Sequence, residues 1–409
     1  MPISNRLLNQ HLLWRAGFGQ KINHSADLDS LSPKETWNRL LKSSSGTTRK
    51  IITSTISEEE FFMSRETEMG EMSRLTPEQR KAFGQQSRAD IRKLNTSWLS
   101  EMINSEAQLR EKMSLFWHGH FACRIDNIYF QQNLLNTIRQ NALGNFGVLL
   151  KEVSKSPSML QFLNNQQNRK KHPNENFARE VMELFTMGRG NYTEKDIQES
   201  ARAFTGWSYN PKGEFVFKEN QHDDGSKTFL GKTGDFNGDD ILTILLEQKQ
   251  TARFITKKIF RFLVNEQPDE ARINQLAERF FKTGYDIKKL LEDIFTSDWF
   301  FAEKNIGTKI KSPVELIAGL RRMLPMEMED DGAQILIQRA LGQVLFNPPN
   351  VAGWPGGKTW IDSSTLMLRL TIPRMLAADE LFSLSPKSDD DTMMGNMKEE
   401  RIAKRERNR

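Results

Sequence analysis

The sequence predicts a mainly α-helical protein, a multi-helix globular bundle carrying one small antiparallel β-hairpin or sheet insertion. Three observations predict it. Apolar residues recur at steps of three and four through most of the 409 residues. Helix-opening signals punctuate these runs, at Ser32-Pro33, Thr76-Pro77, Asn174, Thr193 and Ser312-Pro313. Only one interval, residues 207–230, alternates with period two. Residues 1–385 are expected to form a single helical domain. Two charge-rich stretches stand apart, a peripheral excursion at 58–92 and a disordered tail at 386–409, because their thin apolar stripes bury too little to offset ordering entropy.

Taken in order, 11–19 (HLLWRAGFG) reads as a short helix stopped by glycine, and Ser32 with Glu35 opens the next by a capping-box pattern. Residues 43–57 are rich in Ser and Thr and read as a loop. Thr76, Pro77 and Glu78 supply a cap, a first helical residue and a first-turn acid. From 95 to 117 the apolar positions Trp98, Leu99, Met102, Leu109, Met113 and Phe116 keep helical spacing and deliver Phe-Trp-His-Gly-His-Phe, 116–121. His118 and His120 would share one side on an extended backbone and suit a metal there; on a helix the rings diverge and the pair reads as a hydrogen-bonded core feature.

The stretch 174–207 is the densest in functional residue types. Phe177, Val181, Leu184 and Phe185 form an apolar stripe, and Asn176, Glu180 and Glu183 form a row beside it, so Glu180 is expected half-buried and in need of a cation, a metal or a donor. Arg179 is explained by i,i+4 pairing with Glu175 and Glu183. A second helix follows from Thr193, burying Ile197, Ala201 and Phe204 and leaving Arg202 off the stripe. A hairpin at 208–217 and a tight loop carrying His222, Asp223 and Lys227 come next. Residues 235–240 resemble part of a calcium loop, but Leu246 stands where position 12 needs Glu, and Asp239 or Asp240 is read as a helix cap instead. Gly357-Lys358-Thr359 fails as a P-loop because Ala352 replaces the first glycine and Pro355 interrupts. That loop, 347–360, reads as rigid and aromatic-lined, with Trp354 and Trp360 covering something apolar.

Net charge is +5, and residues 398–409 hold six Lys/Arg against three Glu, so the body is nearly neutral and no nucleic-acid groove is expected. Cys123 is the single cysteine, which excludes an intrachain disulfide and a cysteine-based zinc cage and fits a reducing compartment. No stretch reaches the length of a membrane span, and the N-terminus lacks a secretory h-region, so a cytoplasmic location is expected.

In order along the chain, HLLWRAGFG, FWHGHF, NENFAREVMELFTMG, YTEKDIQESARAFTGW, HDDGSKTFLG, KSPVEL and PPNVAGWPGGKTWIDSSTL resemble the bacterial family known as domain of unknown function 1800, over about residues 11–381. Trp14, Met187 and Leu368 depart from the family's pattern. The resemblance implies a mainly helical protein without assigned activity. Family members often look exported and tend to be encoded beside an alkaline-phosphatase/sulfatase-like protein, a possible partner.

Two functions are expected from the residues. The first is a hydrolase-like or metal-assisted enzyme, with Glu180, Glu183, His120, Arg202 and Lys227 as catalytic candidates and His118, His120, His222 and Asp223 as ligands for a divalent metal. The second is a non-catalytic binding or assembly module in which the same groups form a buried network.

Overall fold

Capping chemistry sets where the helices begin. Capping boxes pair Ser32 with Glu35, Thr76 with Gln79, Thr193 with Asp196, Asn237 with Asp240 and Ser312 with Glu315. The fourth corrects an expectation. Asn237, not Asp239 or Asp240, caps its helix, because its Oδ1 accepts from the amides of Asp239 and Asp240 while the Asp240 carboxylate returns to the Asn237 amide.

The computed structural model describes residues 4–55, 76–324 and 331–378. Among them are seventeen α-helices: α1 (Asn5–Ala16), α2 (Asp27–Ser30), α3 (Pro33–Ser44), α4 (Pro77–Asn104), α5 (Gln108–His120), α6 (Ile128–Asn141), α7 (Phe146–Lys155), α8 (Pro157–Phe162), α9 (Glu175–Glu180), α10 (Glu194–Ala203), α11 (Gly238–Leu246), α12 (Lys249–Leu263), α13 (Glu270–Lys282), α14 (Ile287–Phe295), α15 (Pro313–Met323), α16 (Asp331–Ala340) and α17 (Ser363–Ala378). The fold is mainly α with a small β insertion. One apolar cluster joins buried side chains from Leu12 to Ile372. No helix among the described residues is long and apolar enough to cross a membrane.

The helix at the centre is α5. Every residue of it except Gly119 is buried, although its sequence includes Arg110, Glu111 and Lys112. Buried charges need partners, and each has them. Arg110 donates to the carbonyls of Ser44 and Gly46 at 2.6 and 2.5 Å. Glu111 accepts from Arg139 Nη2 at 2.8 Å and from Trp98 Nε1 at 2.9 Å. Lys112 pairs with Glu315.

Two antiparallel hairpins form the β insertion: β1 (Trp207–Tyr209) with β2 (Phe215–Phe217), and β3 (Lys227–Phe229) with β4 (Lys232–Gly234). The second begins at the end of the loop read at 222–227 and runs past residue 230, where the expected β interval stops. Its two-residue turn, Leu230-Gly231, has φ of 47° and 80°, the geometry of a type I′ turn, and a leucine there hides the usual Asn-Gly signal.

Of the excursion expected at 58–92, residues 58–75 lie outside the described residues. Residues 77–92 are the first part of α4, and peripheral character ends before Ser87. Both Ser87 and Asp90 are buried; Ser87 Oγ donates to the Asp126 carbonyl at 2.6 Å and Asp90 accepts from the Thr55 amide at 3.0 Å. The tail at 386–409 lies outside the described residues.

Candidate functional site

The carboxylate row does not converge on a cleft. After α9 the backbone widens into a π-helical turn, Val181–Thr186, in which the Met187 amide reaches back five residues to the Met182 carbonyl at 2.9 Å. Such turns swing carbonyls and side chains off the regular helical track. Glu183 is taken by Arg189 and by the Tyr192 hydroxyl at 3.0 Å. Glu180 is half-buried and has no hydrogen-bond or ion-pair partner among the described residues; burial and then the Glu183 charge push its carboxyl up. Arg179 pairs with Glu175 and, in place of Glu183, with Glu194 at 2.8 Å.

The expected metal ligands are separated. His118 and His120 lie on α5, where their rings diverge. His118 Nε2 accepts from the Phe346 amide at 3.2 Å, so that lone pair is used, and its ring is enclosed by Trp98, Phe346 and Trp354. Phe346 holds a φ of 65° for this contact, a conformation that bulky side chains rarely adopt. His222 Nδ1 lies 2.9 Å from the Thr205 carbonyl. Asp223 is clamped bidentately by Arg202, Nε to Oδ2 at 2.8 Å and Nη2 to Oδ1 at 3.0 Å, and Lys227 donates to the carbonyls of Asp223 and Gly225 at 2.5 and 3.0 Å. Among the described residues no group of three or more His, Cys, Asp or Glu side chains could hold a metal ion. The physical reason is that backbone amides, carbonyls and arginines have already claimed the donor atoms.

One predicted residue, His120, does line a cleft. It is a concavity of about 310 Å³ walled by α5, by Lys258, Arg261, Phe262 and Glu266, by residues 309–315, and by the loop carrying Trp354 and Trp360. Gly353 sits at φ 83° where a Cβ would strike the Gly119 carbonyl; glycine there lets the Trp loop close onto α5 between the two histidines. Trp354 and Trp360 therefore cover a concave surface that is polar as well as apolar.

His120 Nε2 lies 3.2 Å from the Phe185 carbonyl. A carbonyl only accepts, so Nε2 carries the proton and Nδ1 keeps its lone pair. Nδ1 has no partner among the described residues. Burial, with the Lys258 charge, lowers the imidazole well below its usual value and keeps it neutral. Lys258 Nζ reaches toward the Leu184 carbonyl at 3.5 Å, and burial lowers its ammonium to about 8. The carboxylate-rich motif thus meets the cleft through backbone carbonyls of its π-helical turn.

At the cleft floor Lys309 Nζ donates to Glu315 Oε1 at 2.5 Å and sits 4.1 Å from the Phe262 ring centroid. Burial, aided by the charges of Lys112 and Arg15, lowers Lys309 to about 7 in spite of Glu315. Burial alone would push Glu315 up; Lys112 and Lys309 override it and hold the carboxylate far below its ordinary range. One carboxylate thus serves two buried lysines. Neither Lys258 nor Arg261 makes an ion pair among the described residues, and with Lys309 they stand against the carboxylates of Glu266 and Glu315, which leaves the lining one positive charge in surplus beside aromatic walls.

Sequence reasoning misses Lys258, Lys309 and Glu315. In the sequence Glu315 reads only as the partner of Ser312 in a capping box, a role it also fills, accepting from the Ser312 amide at 2.9 Å. A signal is present for the lysines: Lys309 and Lys311 flank Ile310 just before that cap, and Lys258 falls at the edge of the Ala252, Ile255 and Ile259 stripe.

No curated protein and no solved structure matches the chain. A family model described as Protein of unknown function (DUF1800) matches residues 11–408, and the chain therefore belongs to the DUF1800 family.

Proposed function

We propose that the cleft binds a small organic anion and carries out acid/base chemistry on it. His120 Nδ1 is the base, Lys309 the second proton-transfer group, Lys258 and Arg261 the charge partners, and Trp354 and Trp360 the contacts for the apolar part of the ligand. The carrying observation is His120, whose Nδ1 is buried without a partner among the described residues in the wall of a cleft that also holds Lys258 and Lys309. A base is effective when its lone pair is available and its neighbours exchange protons near working pH. This retains the hydrolase-like reading without a metal-assisted step.

Tryptophan fluorescence tests it, since Trp354 and Trp360 line the cleft. A panel of phosphorylated, sulfated and carboxylated small molecules is expected to contain at least one saturable quencher, weakened in K258Q and K309Q. H120Q is expected to retain binding and lose turnover. A panel with no saturable ligand would sink the reading.

A second reading, assembly with an alkaline-phosphatase/sulfatase-like protein, is favoured by one observation. Leu366, Met367 and Leu370 of α17 are 44%, 62% and 68% exposed on one outward face. Co-elution of the two purified proteins, abolished in L366D/L370D, would support it, and separate elution at micromolar concentration would remove it.

A further inference from the structure

Lys309 lines a second recess as well. This one is about 250 Å³ and lies between α1 and residues 306–311, with Gln10, His11, Trp14, Arg15, Lys309 and Lys311 in its wall and no Asp or Glu. Arg15 is 4% exposed. Its Nη2 donates to the Asn305 carbonyl at 2.9 Å and to Thr308 Oγ1 at 3.3 Å, while Nη1 is buried with no hydrogen-bond partner among the described residues. An unmet guanidinium donor in the interior is costly and calls for an acceptor.

Lys311 has no carboxylate either. Its Nζ sits 3.0 Å from the Trp14 ring centroid, a cation held by an aromatic face. Trp14 is pinned in turn, because a Cβ on Gly19 or on Gly319 would strike its ring. The recess therefore has a rigid aromatic wall and three cationic groups. The carboxylate acting on all three is Glu315, and it already serves Lys112 and Lys309. Buried charge in such surplus is relieved by losing protons or by taking up a further counter-ion, and the Arg15 guanidinium cannot take the first route near neutral pH.

We propose that this recess binds a tetrahedral oxyanion, phosphate, sulfate or a small ester of either, held by Arg15 Nη1 and the ammonium groups of Lys309 and Lys311. A tetrahedral dianion suits it better than a monocarboxylate, because the donors come from three separate chain positions and the charge to be met exceeds one. The volume lies below the roughly 300 Å³ at which drug-sized ligand sites begin, which fits an ion with at most a short organic group. The site shares Lys309 with the acid/base cleft, but Arg15 and Lys311 line this recess alone, so it stands whether or not that reading holds.

The test is isothermal titration of the full chain with sulfate, inorganic phosphate, methyl phosphate and acetate at about 10 mM ionic strength, where screening is weak. Saturable sulfate and phosphate binding is expected, weakened about tenfold or more in K311Q and little changed in K258Q, which alters only the cleft. R15Q also loses the anchor to Asn305 and could unfold, so K311Q, on a partly exposed side chain, carries the test, with thermal melting as the check on folding. Inorganic phosphate tighter than methyl phosphate supports a free ion as occupant, the reverse supports an ester, and both support the site. Absence of saturable heat, wild-type affinity in folded K311Q, loss of binding in K258Q instead, or acetate binding as tightly as sulfate would each overturn it.

Discussion

His120 donates from Nε2 to the Phe185 carbonyl at 3.2 Å, and through this bond the carboxylate-rich motif meets the cleft. The bond fixes the tautomer and frees Nδ1. H120Q keeps an N–H donor for Phe185 and removes the base, so activity should vanish while stability falls by less than about 1.5 kcal/mol. H120F leaves the carbonyl unmet and should cost about 1–3 kcal/mol. Denaturant unfolding of both variants, beside any assay the ligand screen provides, checks the pair.

Glu315 holds Lys112 and Lys309. E315Q leaves two buried ammonium groups without a carboxylate and should destabilise the protein by about 3–5 kcal/mol. Adding K112M removes one stranded charge and should recover part of that loss. Chemical denaturation of the single and double variants decides; additivity of the two changes would contradict the pairing.

Ligand affinity in the cleft should rise as pH falls. Lys258 and Lys309 are lowered to about 8 and about 7, so each gains its charge as pH drops through those values. Titrating a quenching anion between about pH 9 and about pH 6 should show affinity rising across this window and levelling below it. Flat affinity across the window would count against lysine recognition.

Acid should destabilise the fold through its histidines. Burial lowers His118 to about 3, and burial with the Arg15 charge lowers His11 to about 4. The unfolded chain therefore binds protons that the native one refuses between about pH 6.5 and these values. Stability rises with pH across that window and is lost as pH falls through it, by about 1.4 kcal/mol for each tenfold drop in a histidine's proton affinity on folding. H118Q, whose side-chain carbonyl can still accept from the Phe346 amide, should flatten the loss measured by thermal melts.

Glu180 should be dispensable for stability. Burial and the Glu183 charge push its carboxyl up, so the ionised form is disfavoured in the fold. E180Q should leave stability unchanged or raise it by less than about 1 kcal/mol. A clear loss on unfolding would show that the carboxylate has a partner it needs.

The helical class, the caps at Ser32, Thr76, Asn174, Thr193 and Ser312, and the first hairpin were legible in the chain, because each depends on residues within a few positions of one another. Local hydrogen bonds and side-chain periodicity are properties of short segments, and short segments can be read. His120 stands out in the sequence and does line the cleft, but its expected companions do not, since Glu180, Glu183, Arg202, His222 and Asp223 lie outside it, most of them held by partners near them in sequence.

What only the tertiary structure decided is which charges meet across long separations. Lys112 and Glu315 are 203 residues apart, His118 and the Phe346 amide 228, and Arg15 and the Asn305 carbonyl 290. No periodicity encodes such pairings, because they arise when buried polar residues of α5, and Arg15 of α1, must take partners from whatever packs against them. The sequence by itself determined the helical class and the caps at Ser32, Thr76, Asn174, Thr193 and Ser312, but not the start of α1 at Asn5, the break between α4 and α5 or the Asn237 cap; the surplus of buried cations around one carboxylate exists only once those helices are packed, because burial removes the water that would otherwise satisfy each charge alone.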